Sequence, residues 1–187
     1  MKLAVLDFLG HIDPDSIGAV MDARSWEPQP GILEAIALLH HNGWHVVQAT
    51  NQPGLGRGSL EINELNALHR RLQRALHAAG ARVGAFFFCP HTPQDGCSCR
   101  KPAPGMLQQI ASRYGAEPHE IWVIGQSSAH IQAGQALGAH VALVDVDMPL
   151  PPSTTLCTDP QVPRYAGWLA LAQALTQTAP PSSPRAT

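Results

Sequence analysis

The sequence predicts an α/β fold: an open, mostly parallel sheet with helices on both faces. Two observations predict it. Short apolar runs typical of strands alternate with longer stretches of helical periodicity over most of the chain. The first run, Leu3 to Leu6, is apolar at every position, which is typical of a central parallel strand that is covered on both sides. Right-handed crossovers are expected to connect the strands.

The elements follow in order along the chain. Strands are expected at residues 3–6, 44–49, 83–88, 121–124 and 141–144, and helices at 30–42, 59–79, 104–114, 127–137 and 168–175. Residues 53–58 are Gly-rich and are expected to form a loop, after which Ser59 caps the second helix. The buried stripe of that helix is expected to contain Ile62, Leu65, Leu68, Leu72 and Leu76. The last helix is expected to pack on an edge of the sheet.

Composition limits the function classes. The 187 residues are 44% hydrophobic and 14% charged, which indicates one globular domain, assigned here to residues 1–178 with a disordered Pro/Ser-rich tail at 179–187. The net charge of −2 argues against a nucleic-acid partner. No apolar run is long enough to cross a bilayer, and the start has no secretory signal pattern. We therefore expect a cytoplasmic protein without a membrane partner, and a monomer.

A cluster of metal-binding residue types lies between residues 89 and 102. Three thiols and one imidazole in a loop bent by Pro and Gly form a closed tetrahedral zinc set, which would be structural because all four positions are filled; the ligands are Cys89, His91, Cys97 and Cys99. The alternative is a set of free thiols. Cys157 is left alone, so no disulfide framework is predicted.

Polar residues follow the predicted strands at their carboxyl ends. Asp7 follows the first strand, residues 50–52 follow the second, Cys89 follows the third, and residues 125–126 follow the fourth. In open parallel sheets ligands bind outside these ends, so we expect one crevice that brings all of them together.

These strand ends resemble the haloacid dehalogenase superfamily of phosphohydrolases. The pattern Cys-x-His-x5-Cys-x-Cys-Arg-Lys-Pro, together with the segment from Thr50 to Gly58, resembles the heptose-1,7-bisphosphate 7-phosphatase family, and the histidinol phosphatases share much of it. The resemblance covers about residues 1–145. It implies a three-layer Rossmann-like sheet and hydrolysis of a phosphorylated sugar in lipopolysaccharide heptose synthesis.

The resemblance also implies roles for individual residues. Asp7 matches the nucleophile that forms an aspartyl-phosphate, while Thr50 and Lys101 match residues that stabilise the transferring phosphoryl group. Substrate binding would fall to the neighbouring polar and basic side chains, Asn51, Gln52, Arg57 and Arg100. The family uses Mg²⁺ held by carboxylates.

Four positions depart from the family pattern. The first-strand motif reads Asp7-Phe8-Leu9-Gly10-His11, so Leu9 stands where the family has its general acid/base aspartate and His11 replaces a Thr or Val. Gln126 and His130 stand where the family has acidic residues. The loss of a general acid/base costs about 10²–10⁴-fold in rate, and Mg²⁺ loses its carboxylate ligands. We therefore expect a weak or inactive phosphatase.

Several alternatives remain open at this point. The chain could be a non-catalytic module that binds a phosphosugar or a partner enzyme. A zinc-knuckle nucleic-acid binder is a weaker alternative, because the chain is slightly acidic and few aromatic residues lie near the loop. His11 and His130 could form a two-histidine, one-carboxylate metal site with Asp7. Asp13 and Asp15 could replace part of the lost acidity.

Overall fold

The computed structural model describes residues 1–9, 27–146 and 155–177. Six strands and six α-helices are assigned in these ranges. The strands are β1 (Leu3–Leu6), β2 (His45–Asn51), β3 (Ala85–Cys89), β4 (Ile121–Gly125), β5 (His140–Val144) and β6 (Arg164–Tyr165). The helices are α1 (Ile32–His41), α2 (Pro53–Arg57), α3 (Ile62–Ala78), α4 (Gly105–Tyr114), α5 (Ser128–Leu137) and α6 (Trp168–Gln177).

The strands form one parallel sheet in the order β3-β2-β1-β4-β5-β6. Helices α1, α3 and α6 contribute to a core on one face, where Leu6 of β1 is fully buried. Helices α4 and α5 contribute to a second core on the other face, where Val5 of β1 is fully buried. These two faces make the three-layer α/β architecture that the sequence predicts, and β1 lies at its centre.

The predicted elements agree closely with the structure, with five corrections. Residues 53–57 form the short helix α2 instead of a loop, because Pro53 can occupy the first turn of a helix. Glu61 caps α3 through a capping box with Glu64, whereas the Ser59 hydroxyl donates to the carbonyl of Gly54. Ile62 is 45% exposed, since it lies in the first turn of α3 outside the buried stripe.

The other two corrections concern the C-terminal part. The two-residue strand β6 was missed because it is too short to show alternation. Helix α6 packs beside α1 on one face of the sheet, where Trp168 meets the edge of the Phe8 ring. The predicted position at a sheet edge is therefore wrong. The predicted disordered tail at 179–187 lies outside the described residues.

Candidate functional site: a crevice at the carboxyl ends of the strands

The crevice lies where the sheet order reverses direction along the chain. β1 is flanked by β2 on one side and β4 on the other, and all three run parallel. Their carboxyl ends therefore open at one edge, as ligand sites of doubly wound sheets do. Asp7 leaves the end of β1, and its backbone N–H donates to Ile124 at 3.0 Å, which fixes the carboxylate beside β4.

A buried ion pair occupies the centre of the crevice. The Lys101 ammonium lies 2.5 Å from Oδ2 of Asp7 and donates to the carbonyl of Ala49 at 2.7 Å. It also lies 3.0 Å from Nδ1 of His130. Lys101 is 3% exposed, so its charge is balanced inside the protein by these acceptors. Burial lowers the pKa of Lys101, and the neighbouring Asp7 carboxylate opposes that change.

His130 is a neutral acceptor in this arrangement. Its ring is fully buried, and burial together with the Lys101 ammonium lowers its pKa to about 3. Its Nε2 lies 3.2 Å from the carbonyl of Val5, an acceptor only. The proton is therefore assigned to Nε2, which leaves Nδ1 free to accept from Lys101. His130 thus accepts from Lys101 without adding negative charge.

Asn51 and its neighbours fix the end of β2. The Asn51 side chain donates from Nδ2 to the carbonyl of Lys101 and accepts at Oδ1 from the N–H of Lys101. Thr50 and Gln52 are buried, and the Gln52 amide lies 3.4 Å from the Thr50 hydroxyl. Thr50 follows Ala49, whose carbonyl accepts from the Lys101 ammonium, so its place at the end of β2 is next to a group that contacts Lys101.

The two arginines lie farther out. Arg57 is exposed at the end of α2, and Arg100 donates to the carbonyl of His91 at 3.3 Å. Helix α2 contacts the loop after β3 directly, since the Gly56 N–H donates to Pro90 at 2.9 Å. A Cβ at position 56 would lie 2.6 Å from that carbonyl oxygen, so only glycine allows this approach.

The loop after β3 gathers its four predicted ligands. Their ligand atoms all lie within 4.8 Å of one another; the residues are Cys89, His91, Cys97 and Cys99. Burial, with hydrogen bonding from Cys99 next, raises the pKa of the Cys89 thiol to about 12. Thiolates this close together need a cation between them, so the cluster could hold a metal ion. It is the one such cluster found among the described residues.

Three of the four positions predicted to depart from the family pattern are described, and they carry the neutral side chains of Leu9, Gln126 and His130. Leu9 is 6% exposed and packs into the core beneath the crevice. The buried Gln126 side chain accepts weakly from Gln29, at 3.4 Å, and the Gln29 carbonyl oxygen accepts from the indole N–H of Trp168 at 2.6 Å. Sequence reasoning missed Gln29, because a lone Gln between two prolines gives no signal of its partners. His11, Asp13 and Asp15 lie outside the described residues.

Known proteins match this architecture along most of the chain. A family model described as HAD-hydrolase-like matches residues 98–151. The D-glycero-β-D-manno-heptose-1,7-bisphosphate 7-phosphatase of Pseudomonas aeruginosa is 40% identical over 165 residues, which are 84% of this chain and 93% of that protein. The phosphatase of the same name from Bordetella bronchiseptica is 41% identical over 85% of this chain and 93% of that protein.

The chain belongs to the heptose-1,7-bisphosphate 7-phosphatase family. A crystal structure of the D,D-heptose 1,7-bisphosphate phosphatase from B. bronchiseptica, complexed with magnesium and phosphate, superposes with a TM-score of 0.80 at 38% identity; it covers 96% of this chain and 100% of that chain. The D,D-heptose 1,7-bisphosphate phosphatase from Burkholderia thailandensis gives a TM-score of 0.67 at 32% identity, over 95% of this chain and 99% of that one. The predicted family and fold are therefore confirmed.

Membership of the heptose-1,7-bisphosphate 7-phosphatase family implies Mg²⁺ in the crevice, and the described residues do not fit that ion. Mg²⁺ prefers carboxylate oxygens and water in an octahedral arrangement. Asp7 is the one carboxylate directly after β1, β2 or β4, and an ammonium already lies against it, while Asp145 after β5 is paired with Arg164. Leu9 offers no ligand, while Nδ1 of His130 faces Lys101. A divalent cation placed here would be repelled by Lys101.

Proposed function

We propose that this family member binds a phosphorylated sugar in the crevice and hydrolyses phosphomonoesters weakly or not at all. The observation that supports this proposal is the Asp7–Lys101–His130 arrangement. The side chain that would attack phosphorus is held at 2.5 Å by a buried ammonium, and no acidic neighbour is found among the described residues of the crevice. A carboxylate that is paired in this way is a weak nucleophile toward an anionic phosphate.

The proton transfer step has no agent at its usual position. A general acid/base is needed to protonate the leaving oxygen and then to activate water, and Leu9 has no group that transfers a proton. His130 cannot take over the role, since its Nε2 proton is directed at a backbone carbonyl and its Nδ1 at Lys101. This missing step alone accounts for a loss of about 10²–10⁴-fold.

The groups suited to anion binding are retained. The Lys101 ammonium contacts the carbonyl of Ala49, the residue before Thr50, and basic side chains are available nearer solvent in Arg57 and Arg100. Arginine and lysine of this kind bind phosphate by charge-assisted hydrogen bonds. The substrate class we propose is a heptose phosphate, because the relatives carry the name of heptose-1,7-bisphosphate phosphatases.

We further propose that the Cys89–Cys99 cluster holds structural zinc. Its sulfur–sulfur separations are 3.2, 3.6 and 3.7 Å, and the His91 nitrogen lies 3.3 and 3.5 Å from two of the sulfurs. Tetrahedral zinc with bonds of about 2.3 Å to sulfur places its ligands about 3.5–3.8 Å apart. Three of the five separations lie in this range, and the two that involve Cys99 with Cys89 and with His91 are shorter. The ion would fix the loop from which Lys101 enters the crevice, without taking part in the reaction.

The remaining assignments rest on the composition of the chain and on the family. We propose a monomer in the cytoplasm, linked to lipopolysaccharide heptose synthesis, with no nucleic-acid or membrane partner. Among the described residues, no helix has both the length and the apolar character required to span a membrane.

The test of weak or absent turnover is phosphate release from D-glycero-β-D-manno-heptose 1,7-bisphosphate in the presence of Mg²⁺. The wild type is compared with the triple variant Leu9→Asp/Gln126→Asp/His130→Asp. We expect little release from the wild type and a gain of at least about 10²-fold in the variant, from the restored acid/base and metal ligands. The matched control is Leu9→Asn/Gln126→Asp/His130→Asp, which has similar shape at position 9 but cannot transfer the proton.

Binding is measured separately by calorimetric titration of the wild type with inorganic phosphate, with and without Mg²⁺. We expect phosphate to bind equally well under both conditions. Wild-type turnover equal to that of the B. bronchiseptica relative would overturn the proposal of a weak enzyme. Failure of phosphate to bind, or binding only with Mg²⁺, would overturn the proposal of a metal-independent anion site.

A further inference from the structure

A second basic region lies away from the crevice. A groove of about 710 Å³ runs between the C-terminal half of α3 and the segment that leads into β3. Its rim is cationic, and its floor contains apolar side chains. The exposed basic residues on the rim are Arg70, Arg74, His77 and Arg82, and the floor includes Leu76 and Val83.

This charge is not neutralised locally. The sequence has no Asp or Glu between residues 65 and 94, although the whole chain has a net charge of −2. Over the described ranges, no ion pair is found for Arg70, Arg74 or Arg82. The adjacent Arg71 differs, since it lies 2.9 Å from the carboxylate of Glu27. The groove therefore presents three guanidinium groups to solvent.

Helix stability does not explain these arginines. A cation in the last turn of a helix interacts favourably with the helix dipole, which accounts for His77. Arg70 lies two turns before the end of α3, and Arg82 lies outside the helix. Arg70 and Arg74 are four residues apart on α3, a spacing at which like charges destabilise a helix. A ligand that brings negative charge would relieve this repulsion.

We propose that the groove binds an acidic segment of a partner protein, through Asp or Glu carboxylates. Arginine pairs with carboxylates in two parallel hydrogen bonds, and three arginines around one groove can hold several of them. The apolar floor suits the aliphatic parts of a peptide. A nucleic acid is disfavoured, because no Phe, Tyr or Trp lines the groove for base stacking and the chain as a whole is acidic.

This site is separate from the crevice. The groove adjoins the residues just before β3, whereas the crevice and the metal-binding loop lie after its last residue, Cys89. β3 has five residues, and an extended strand of that length spans about 16 Å. The partner and a phosphorylated sugar could therefore bind at the same time, so the inference does not depend on the function proposed for the crevice.

The test is fluorescence anisotropy of a fluorescein-labelled octaglutamate peptide with the full-length protein. We expect saturable binding at about 20 mM salt that weakens by about 150 mM, and no binding of octaglutamine. In the variant Arg70→Gln/Arg74→Gln/Arg82→Gln, the affinity should fall at least about tenfold. All three residues are exposed, so circular dichroism should show an unchanged fold.

The matched control is Arg71→Gln/Arg113→Gln/Arg164→Gln, which removes the same charge outside the groove. It should bind octaglutamate within about twofold of the wild type. The proposal is overturned by absence of saturable binding, by equal losses in the two triple variants, or by tighter binding of single-stranded DNA of equal charge. If the groove variant does not fold, the wild type still tests the proposal. Equal affinity of the wild type for octaglutamine and octaglutamate would overturn it.

Discussion

Asn51 holds the main chain of Lys101 from both sides. Its Nδ2 lies 2.9 Å from the Lys101 carbonyl oxygen, and its Oδ1 accepts from the Lys101 N–H at 3.1 Å. These two bonds join the end of β2 to the loop that follows the metal-binding cysteines. Asn51 was predicted to bind substrate, and its observed bonds point to a positioning role that would set the direction of the Lys101 side chain.

Replacing Asn51 with alanine should therefore destabilise the protein and weaken anion binding. The buried N–H and carbonyl of Lys101 would lose their partners, which costs about 2 kcal/mol in unfolding free energy. Urea unfolding and phosphate titration measure the two effects. Asn42→Ala is the matched control, because Asn42 bonds to a backbone carbonyl at an exposed helix end and its loss should cost less than about 1 kcal/mol. Equal losses in the two variants would contradict the positioning role.

Replacing Cys97 with serine should remove the metal. A serine hydroxyl is a poor ligand for zinc, so we expect the content measured by inductively coupled plasma mass spectrometry to fall from one zinc per chain to well below one. Limited proteolysis should then cut the loop between residues 89 and 102 faster. Cys157→Ser is the matched control, since Cys157 packs with Ile131 and Leu143 away from the cluster. Full zinc content in Cys97→Ser would contradict the zinc proposal.

His130 should make the folded state less stable in acid. Its pKa falls from the ordinary 6.5 to about 3 on folding, so between these values the unfolded chain binds a proton that the folded chain excludes. The free energy of unfolding therefore falls as the pH decreases. His130 accounts for at most about 1.4 kcal/mol of this fall per pH unit between its two pKa values. His69 acts in the same direction, since burial lowers its pKa to about 4.

The measurement is urea unfolding from pH 4 to pH 7 for the wild type and His130→Asn, in which the Asn oxygen replaces Nδ1 as an acceptor. The difference between the two curves isolates His130 from His69 and from any acid-induced metal loss. We expect a shallower dependence on pH in the variant. If the free energy of unfolding depends on pH equally in both proteins, folding does not lower the pKa of His130.

Local sequence patterns were sufficient for most of the fold. The apolar run at Leu3–Leu6 was placed at its observed ends, because a strand buried on both faces has an uninterrupted signal. The cluster of Cys89, His91, Cys97 and Cys99 was also predicted, since the spacing of these residues within one loop limits how far apart they can lie. Helix α2 and strand β6 were not predicted, because elements of five and two residues contain too little periodicity to be recognised.

The sequence by itself determined the order of the elements, the grouping of three thiols and an imidazole in one loop, and the neutral side chains at positions 9, 126 and 130. Only the tertiary structure decided what surrounds Asp7: Lys101 from a distant loop is buried against Asp7, Ala49 and His130. These contacts join residues 29 to 94 positions apart, and they depend on how the layers pack and on which groups lose water. Neither is encoded in local periodicity.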